Sequence, residues 1–126
     1  TVSIDIDLWP STDFTGEDLR LLVAIKEGTT INNVGSNGQT EFRDVFKKFV
    51  PNRSGTTLDK LVAGETSSHH FEYTFAGEYD PETSISNPVN HDMAHTVEDF
   101  DDLSVLAWVQ DMNTLEIFNA GLSANE

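Results

Sequence analysis

The sequence predicts an all-β protein: one domain, residues 1–126, folded as an antiparallel two-sheet sandwich of immunoglobulin-like or related Greek-key type, with about seven strands. Three observations carry this reading. Val2–Leu8 alternates apolar and polar residue by residue, the period of a half-buried strand. Leu103–Ala120 reads as a β-hairpin whose first arm is the most apolar run in the chain. Between them, extended runs recur at intervals typical of antiparallel sandwiches, and helical periodicity is scarce.

Taken in order, Val2, Ile4, Ile6 and Leu8 face inward and Ser3, Asp5 and Asp7 face water. Trp9-Pro10 ends this strand, because proline cannot donate to a ladder and restricts the residue before it. Residues 19–27 form the next strand, with Leu19, Leu21, Val23 and Ile25 on one face and a mixed Arg20, Leu22, Ala24 and Lys26 face. Gly28 to Thr40 is a long polar loop. Residues 41–51 fit two templates. Phe42, Val45, Phe46 and Phe49 make a helical stripe, whereas a twisted strand over 43–50 also accommodates them. A strand or edge segment follows at 56–63. Residues 68–76 are a strand with Phe71, Tyr73 and Phe75 on one face and His70, Glu72 and Thr74 on the other. Residues 77–97 are polar and contain Pro81 and Pro88; His91–His95 within them fits one helical turn. The last hairpin pairs 103–110 with 115–120 through a turn at Asp111–Thr114, where Asp and Asn hydrogen-bond their own backbone. Leu115, Ile117 and Asn119 would share one face of its second arm, and Glu116, Phe118 and Ala120 the other.

Charge bounds the partners. There are 22 acidic residues against 7 Lys and Arg, a net charge of −15. Nucleic acid and anionic membrane surfaces would be repelled. No apolar run is long enough to insert in a bilayer. Cysteine is absent, which removes disulfides and thiolate metal sites. The chain opens at Thr1 already in strand pattern, which predicts a domain excised from a larger secreted protein.

Leu21–Gly28, Phe42–Pro51, Gly64–Phe75 and Leu103–Ala120 occur in that order. This arrangement resembles the β-sandwich region of the outer-membrane-protein-28-related lipoproteins and secreted proteins of Bacteroidota-type bacteria. Val105–Ala120 carries most of the likeness. The resemblance implies a secreted, cell-surface or periplasm-facing location. In that family the region often follows a thioredoxin-like domain; without a Cys-x-x-Cys here, no redox role carries over. The family's C-terminal secretion signal is not evident in Gly121–Glu126. The likeness implies a location more than an activity.

Three sets of residues are candidates for chemistry. His91 and His95 are four apart, so a helix would place both imidazoles on one face, with His69 or His70 and one of Asp92, Glu98 or Asp99 completing a Zn or Cu site. The competing reading is exposed loop histidines, and Asp92 stands where a zinc-protease motif has Glu. Glu98, Asp99, Asp101 and Asp102, with Asp5 and Asp7 near in space, supply hard oxygens for Ca; they serve equally to block edge-to-edge pairing of a sheet. Trp108, Trp9, Tyr79 and Tyr73 offer an aromatic platform for a glycan or peptide, against the alternative of core positions. Ser67 and Ser68 beside His69 and His70 suggest a Ser–His pair without a nucleophile-elbow motif. The leading expectation is a non-catalytic structural or binding module. Its partner would be a protein or glycan at the cell surface, or another domain of the same chain. A metal-binding domain and a hydrolase with an unrecognised site are the alternatives.

Overall fold

The computed structural model describes residues 1–15, 18–79, 90 and 92–123. Among them are seven strands: β1 (Val2–Leu8), β2 (Leu19–Thr30), β3 (Phe42–Val50), β4 (Thr56–Leu58), β5 (Ser67–Tyr73), β6 (Leu103–Asp111) and β7 (Ile117–Ser123). All pairings are antiparallel. β1 and β5 form a two-stranded layer, and the second layer runs β3-β2-β6-β7, with β4 pairing the start of β2. The expected all-β sandwich is thus divided two against five.

β2 is the spine because its sequence is apolar on both faces. Leu21, Val23 and Ile25 are fully buried toward β1 and β5, and Leu22 and Ala24 are buried on the opposite, outer face. Such a strand is stable only in the middle of a sheet. β6 lies between β2 and β7, so the Trp108 segment is central, which accounts for the apolar bulk on both of its faces. Ile4, Leu19, Leu58, Leu103 and Val109 complete the core with partly buried Val2, Ile6, Phe71 and Tyr73.

Some boundaries differ from expectation. The strand expected at 56–63 is three residues long, and the chain beyond it is held by a bridge between Phe14 and Leu61. The strand expected at 68–76 spans 67–73, and the last arm spans 117–123 instead of 115–120.

Two β-bulges explain the places where period-two reading fails. Ile25 faces Lys48 but Lys26 faces Phe46, so Lys47 is an extra residue. Phe46 and Phe49, three apart, therefore share the outer face, with ring centroids 4.7 Å apart. The helix-like spacing of residues 41–51 is the mark of one residue inserted into a strand. In β7, Val109 faces Asn119 and Gln110 faces Ile117, leaving Phe118 as the extra residue. Phe118 turns inward beside Asn119 and meets Phe14 at 4.9 Å. This corrects the expected alternation: Ile117 is exposed, and Leu115 lies in the turn with φ 64°.

Candidate functional site

Among the described residues, β1 pairs only with β5, and β7 only with β6. Within them each keeps one unpaired edge, and the two edges face one another across an open groove. Three connected stretches define it. One of about 540 Å³ is lined by Ser3–Asp7, Val105, Ala107 and Gly121–Ser123. One of about 170 Å³ lies between Ile6–Leu8 and Asn119–Gly121, over Leu21 and Ala107–Val109. One of about 200 Å³ is bounded by Leu8–Ser11, Phe14, Leu61, Val109, Phe118 and Asn119. Consecutive residues of β1 and β7 line it, so the groove reaches the strand edges and not merely one face. Over the seven residues of β1 it is about 23 Å long.

Its floor is hollow for a local reason. Ala107 and Gly121 are cross-strand partners facing the interior, and a Cβ placed on Gly121 would meet nothing within 4 Å. Two small side chains stand where the sandwich would otherwise be filled. Among the described lining residues, the ionisable ones are Asp5 and Asp7. Asn119 Oδ1 accepts from the Ala120 amide at 2.8 Å, satisfying a backbone donor on the strand that borders the groove. Trp9 stands at the Phe14 and Phe118 end, 79% exposed.

The expected aromatic platform is not one surface. Trp9 flanks the groove. Trp108 points to the outer face of the five-stranded layer, edge-on to Phe49 at 6.4 Å, its Nε1 donating to Gln110 Oε1 at 3.1 Å. Tyr79 stacks on His95 at 6.4 Å, and among the described residues its buried hydroxyl has no partner. Tyr73 lies under the Lys48 ammonium.

The described histidines, His69, His70 and His95, do not converge on one site. His91 lies outside the described residues. His95 sits between Phe75, Tyr79 and Phe100, and its Nδ1 accepts from the Val97 amide at 3.2 Å. His69 Nε2 is 2.8 Å from Ser67 Oγ. His70 lies on the outer side of β5, its Nδ1 2.7 Å from Asp5 Oδ1 and its Nε2 3.5 Å from Glu72 Oε1. The Asp5 hydrogen bond is the main cause that raises the His70 pKa above its ordinary value; desolvation, next in size, opposes it, and the Asp5 charge and the Glu72 contact add smaller upward shifts. Asp92 occupies a turn, where its amide is capped by Asn90. Among the described residues, no three His, Asp or Glu side chains converge as a metal would require.

The acidic 98–102 segment serves the backbone. β6 ends opposite Glu27, whereas β2 continues to Thr30. The amides exposed there are accepted by carboxylates: Thr29 by Asp102 at 2.7 Å, Ile31 and Asn32 by Glu98 at 2.8 and 3.2 Å. Asp99 accepts from the Asp101 amide at 2.9 Å and caps the 3₁₀ turn Phe100–Asp102. Beneath this strap lies an ion pair that sequence reading missed. Glu27 continues the inward phase of Leu21, Val23 and Ile25, and the β3 bulge turns Lys47 toward it. Their charged atoms are 3.0 Å apart, with side-chain exposures of 0% and 4%. Glu27 also accepts from the amides of Glu98 and Asp99, the shortest at 2.6 Å, and Lys47 donates to the Thr96 carbonyl at 2.7 Å. The available signal was Glu27 itself, in phase with the buried side chains of its strand.

No protein-family model, curated protein or solved structure matches the chain.

Proposed function

We propose that this chain is a non-catalytic binding module of a secreted or cell-surface bacterial protein, and that its partner lies along the groove between β1 and β7. The supporting observation is the groove itself: an apolar trough between two strand edges, hollowed at Ala107 and Gly121, with an exposed Trp9 beside it. An exposed tryptophan beside a concave apolar surface is the usual chemistry of an interface anchor. The resemblance carried by Val105–Ala120 supports the location, and the net charge of −15 favours partners other than nucleic acid.

The test is a binding screen of the purified chain against a glycan array and a defined linear-peptide library, repeated with Trp9→Ala and Gly121→Trp. The expected result is a ligand retained by the parent chain and weakened about tenfold or more by each substitution, with the urea midpoint unchanged. A ligand indifferent to both substitutions, or turnover of a hydrolase substrate panel, would overturn the reading.

A further inference from the structure

We infer that the groove is a strand slot, and that its occupant is an extended peptide segment of a partner protein in which Lys or Arg alternates with small or β-branched apolar residues. This rests on the groove being the binding site and names what it takes.

Backbone geometry supplies the first argument. Along the groove, Ser3–Asp7 lies against Gly121–Ser123, Ile6–Leu8 against Asn119–Gly121, and Leu8–Ser11 against Phe118 and Asn119. Residue numbers rise on β1 as they fall on β7, so the two edges run antiparallel. A strand entering between them is antiparallel to one and parallel to the other. It gives the order β5-β1-insert-β7-β6 and joins the two layers into one continuous sheet. Main-chain hydrogen bonds to both edges would supply affinity, and alternate side chains would supply specificity.

Side-chain chemistry supplies the second argument. Inward residues of an inserted strand meet Ile4, Ile6, Ala107 and Gly121, where space remains at Gly121. Small or β-branched side chains fit there. Outward residues lie beside Asp5 and Asp7, exposed on the water-facing side of β1, whose carboxylates also meet His70 and Ser68 of β5 and keep their negative charge at the groove rim. Opposite charges on neighbouring strands attract and like charges repel. A second copy of this chain, at −15, brings the wrong sign, and its own edge strand carries Asp5 and Asp7 where the slot asks for cations.

The experiment titrates the intact chain with synthetic nine-residue peptides, read by calorimetry and by tryptophan emission. The peptides are Val and Lys in strict alternation, Val and Glu in alternation, the Val/Lys composition with its lysines in one block, and the alternating Val/Lys peptide N-methylated at every second residue. Only the unmodified alternating Val/Lys peptide is expected to bind. Gly121→Val and Gly121→Trp should weaken it about tenfold or more, and Asp5→Asn and Asp7→Asn about threefold each. Circular dichroism and urea midpoints identify any variant that has lost its fold, and the two Gly121 variants must agree. Equal binding of the block or N-methylated peptide overturns the strand slot. A glycan ligand lost in Gly121→Trp also overturns it while leaving the binding-module reading intact. Sedimentation showing a dimer abolished by Gly121→Trp would assign the slot to a second copy and likewise overturn the inference. A chain that binds none of the peptides fails this inference, and one that also fails the glycan and library screen fails the broader reading.

Discussion

Where β2 outruns β6, the exposed amides are accepted by Asp102 and Glu98, and the strap that carries them is tied down by Glu27 and Lys47 beneath it. Where β1 and β7 face each other, no described residue pairs the edges over Ala107 and Gly121, and the nearby acids engage the neighbouring strand β5, Asp5 through His70 and Asp7 through Ser68. Both regions pose the same problem of an unpaired strand edge. At the strap the acids of this chain take the place of a neighbouring strand. Along the groove no element of the described chain does, and the space is preserved by small residues. Acidic composition therefore has two local meanings: acceptor of backbone amides at one edge, and exposed partner of β5 side chains at the other.

The contrast is sharpest in stability. Glu27→Ala leaves the Lys47 ammonium buried without its counter-ion and the Glu98 and Asp99 amides without an acceptor. Removing one partner of a buried pair costs about 3–5 kcal/mol, and urea denaturation should show a loss of that size. The double variant Glu27→Leu with Lys47→Met should recover part of it, because an apolar replacement avoids the buried charge. Recovery stays incomplete, since each orphaned amide still costs about 1–3 kcal/mol. A double variant as stable as the parent chain would remove the role assigned to those amides.

Phe118→Ala comes next. The bulge turns this ring onto Phe14 and the core, and truncating a fully buried phenylalanine costs about 3–5 kcal/mol. Phe118 is only partly buried, so about 2 kcal/mol is expected. Gly121→Val, by contrast, should shift the urea midpoint by less than about 0.5 kcal/mol equivalent, because its side chain enters open space in an extended strand. A large loss at Gly121 would mean that the groove floor is packed and would close the slot.

These three positions also show what the sequence makes legible. The alternation of Val2–Leu8 marks β1 as half-buried, and the apolar bulk on both faces of residues 103–110 marks β6 as central, without coordinates; the mixed Arg20, Leu22, Ala24 and Lys26 face conceals that β2 is the spine. A bulge, however, breaks the period by one residue, and a one-residue slip moves every later side chain to the other face. Lys47 and Phe118 are therefore misassigned by any strict alternation, and Phe46 with Phe49 imitates a helix. The acids of 98–102 were visible as a cluster, but which amides they accept depends on how far β2 outruns β6, a tertiary fact. The groove was invisible because it is made by absent pairing and by small side chains, which leave no periodic trace. Trp9 and Trp108 look alike in sequence as aromatic candidates, yet one follows a strand end and the other lies on a sheet face.

The smallest effect concerns the wall of the groove. β1 is held to β5 by the apolar contacts of Ile4 with Phe71 and, on the wet face, by the Asp5–His70 pair. The Asp5 carboxylate raises the His70 pKa in the folded chain. A raised folded-state pKa adds stability that is fully present below the unfolded value, about 6.5 for histidine, and fades as pH rises through the folded value. The parent chain should accordingly exceed Asp5→Asn in urea midpoint most at mildly acidic pH, and the difference should shrink toward alkaline pH. A proton NMR titration of the His70 ring gives the direct check: a midpoint above the ordinary histidine value in the parent, falling in Asp5→Asn. Glu72→Gln should lower it less, because its contact with the ring is longer, 3.5 Å against 2.7 Å. The buried Glu27–Lys47 pair, 0% and 4% exposed, offers the internal contrast. Added salt should erode the exposed Asp5–His70 difference and leave the cost of Glu27→Ala nearly unchanged, since screening acts on solvated charges far more than on buried ones.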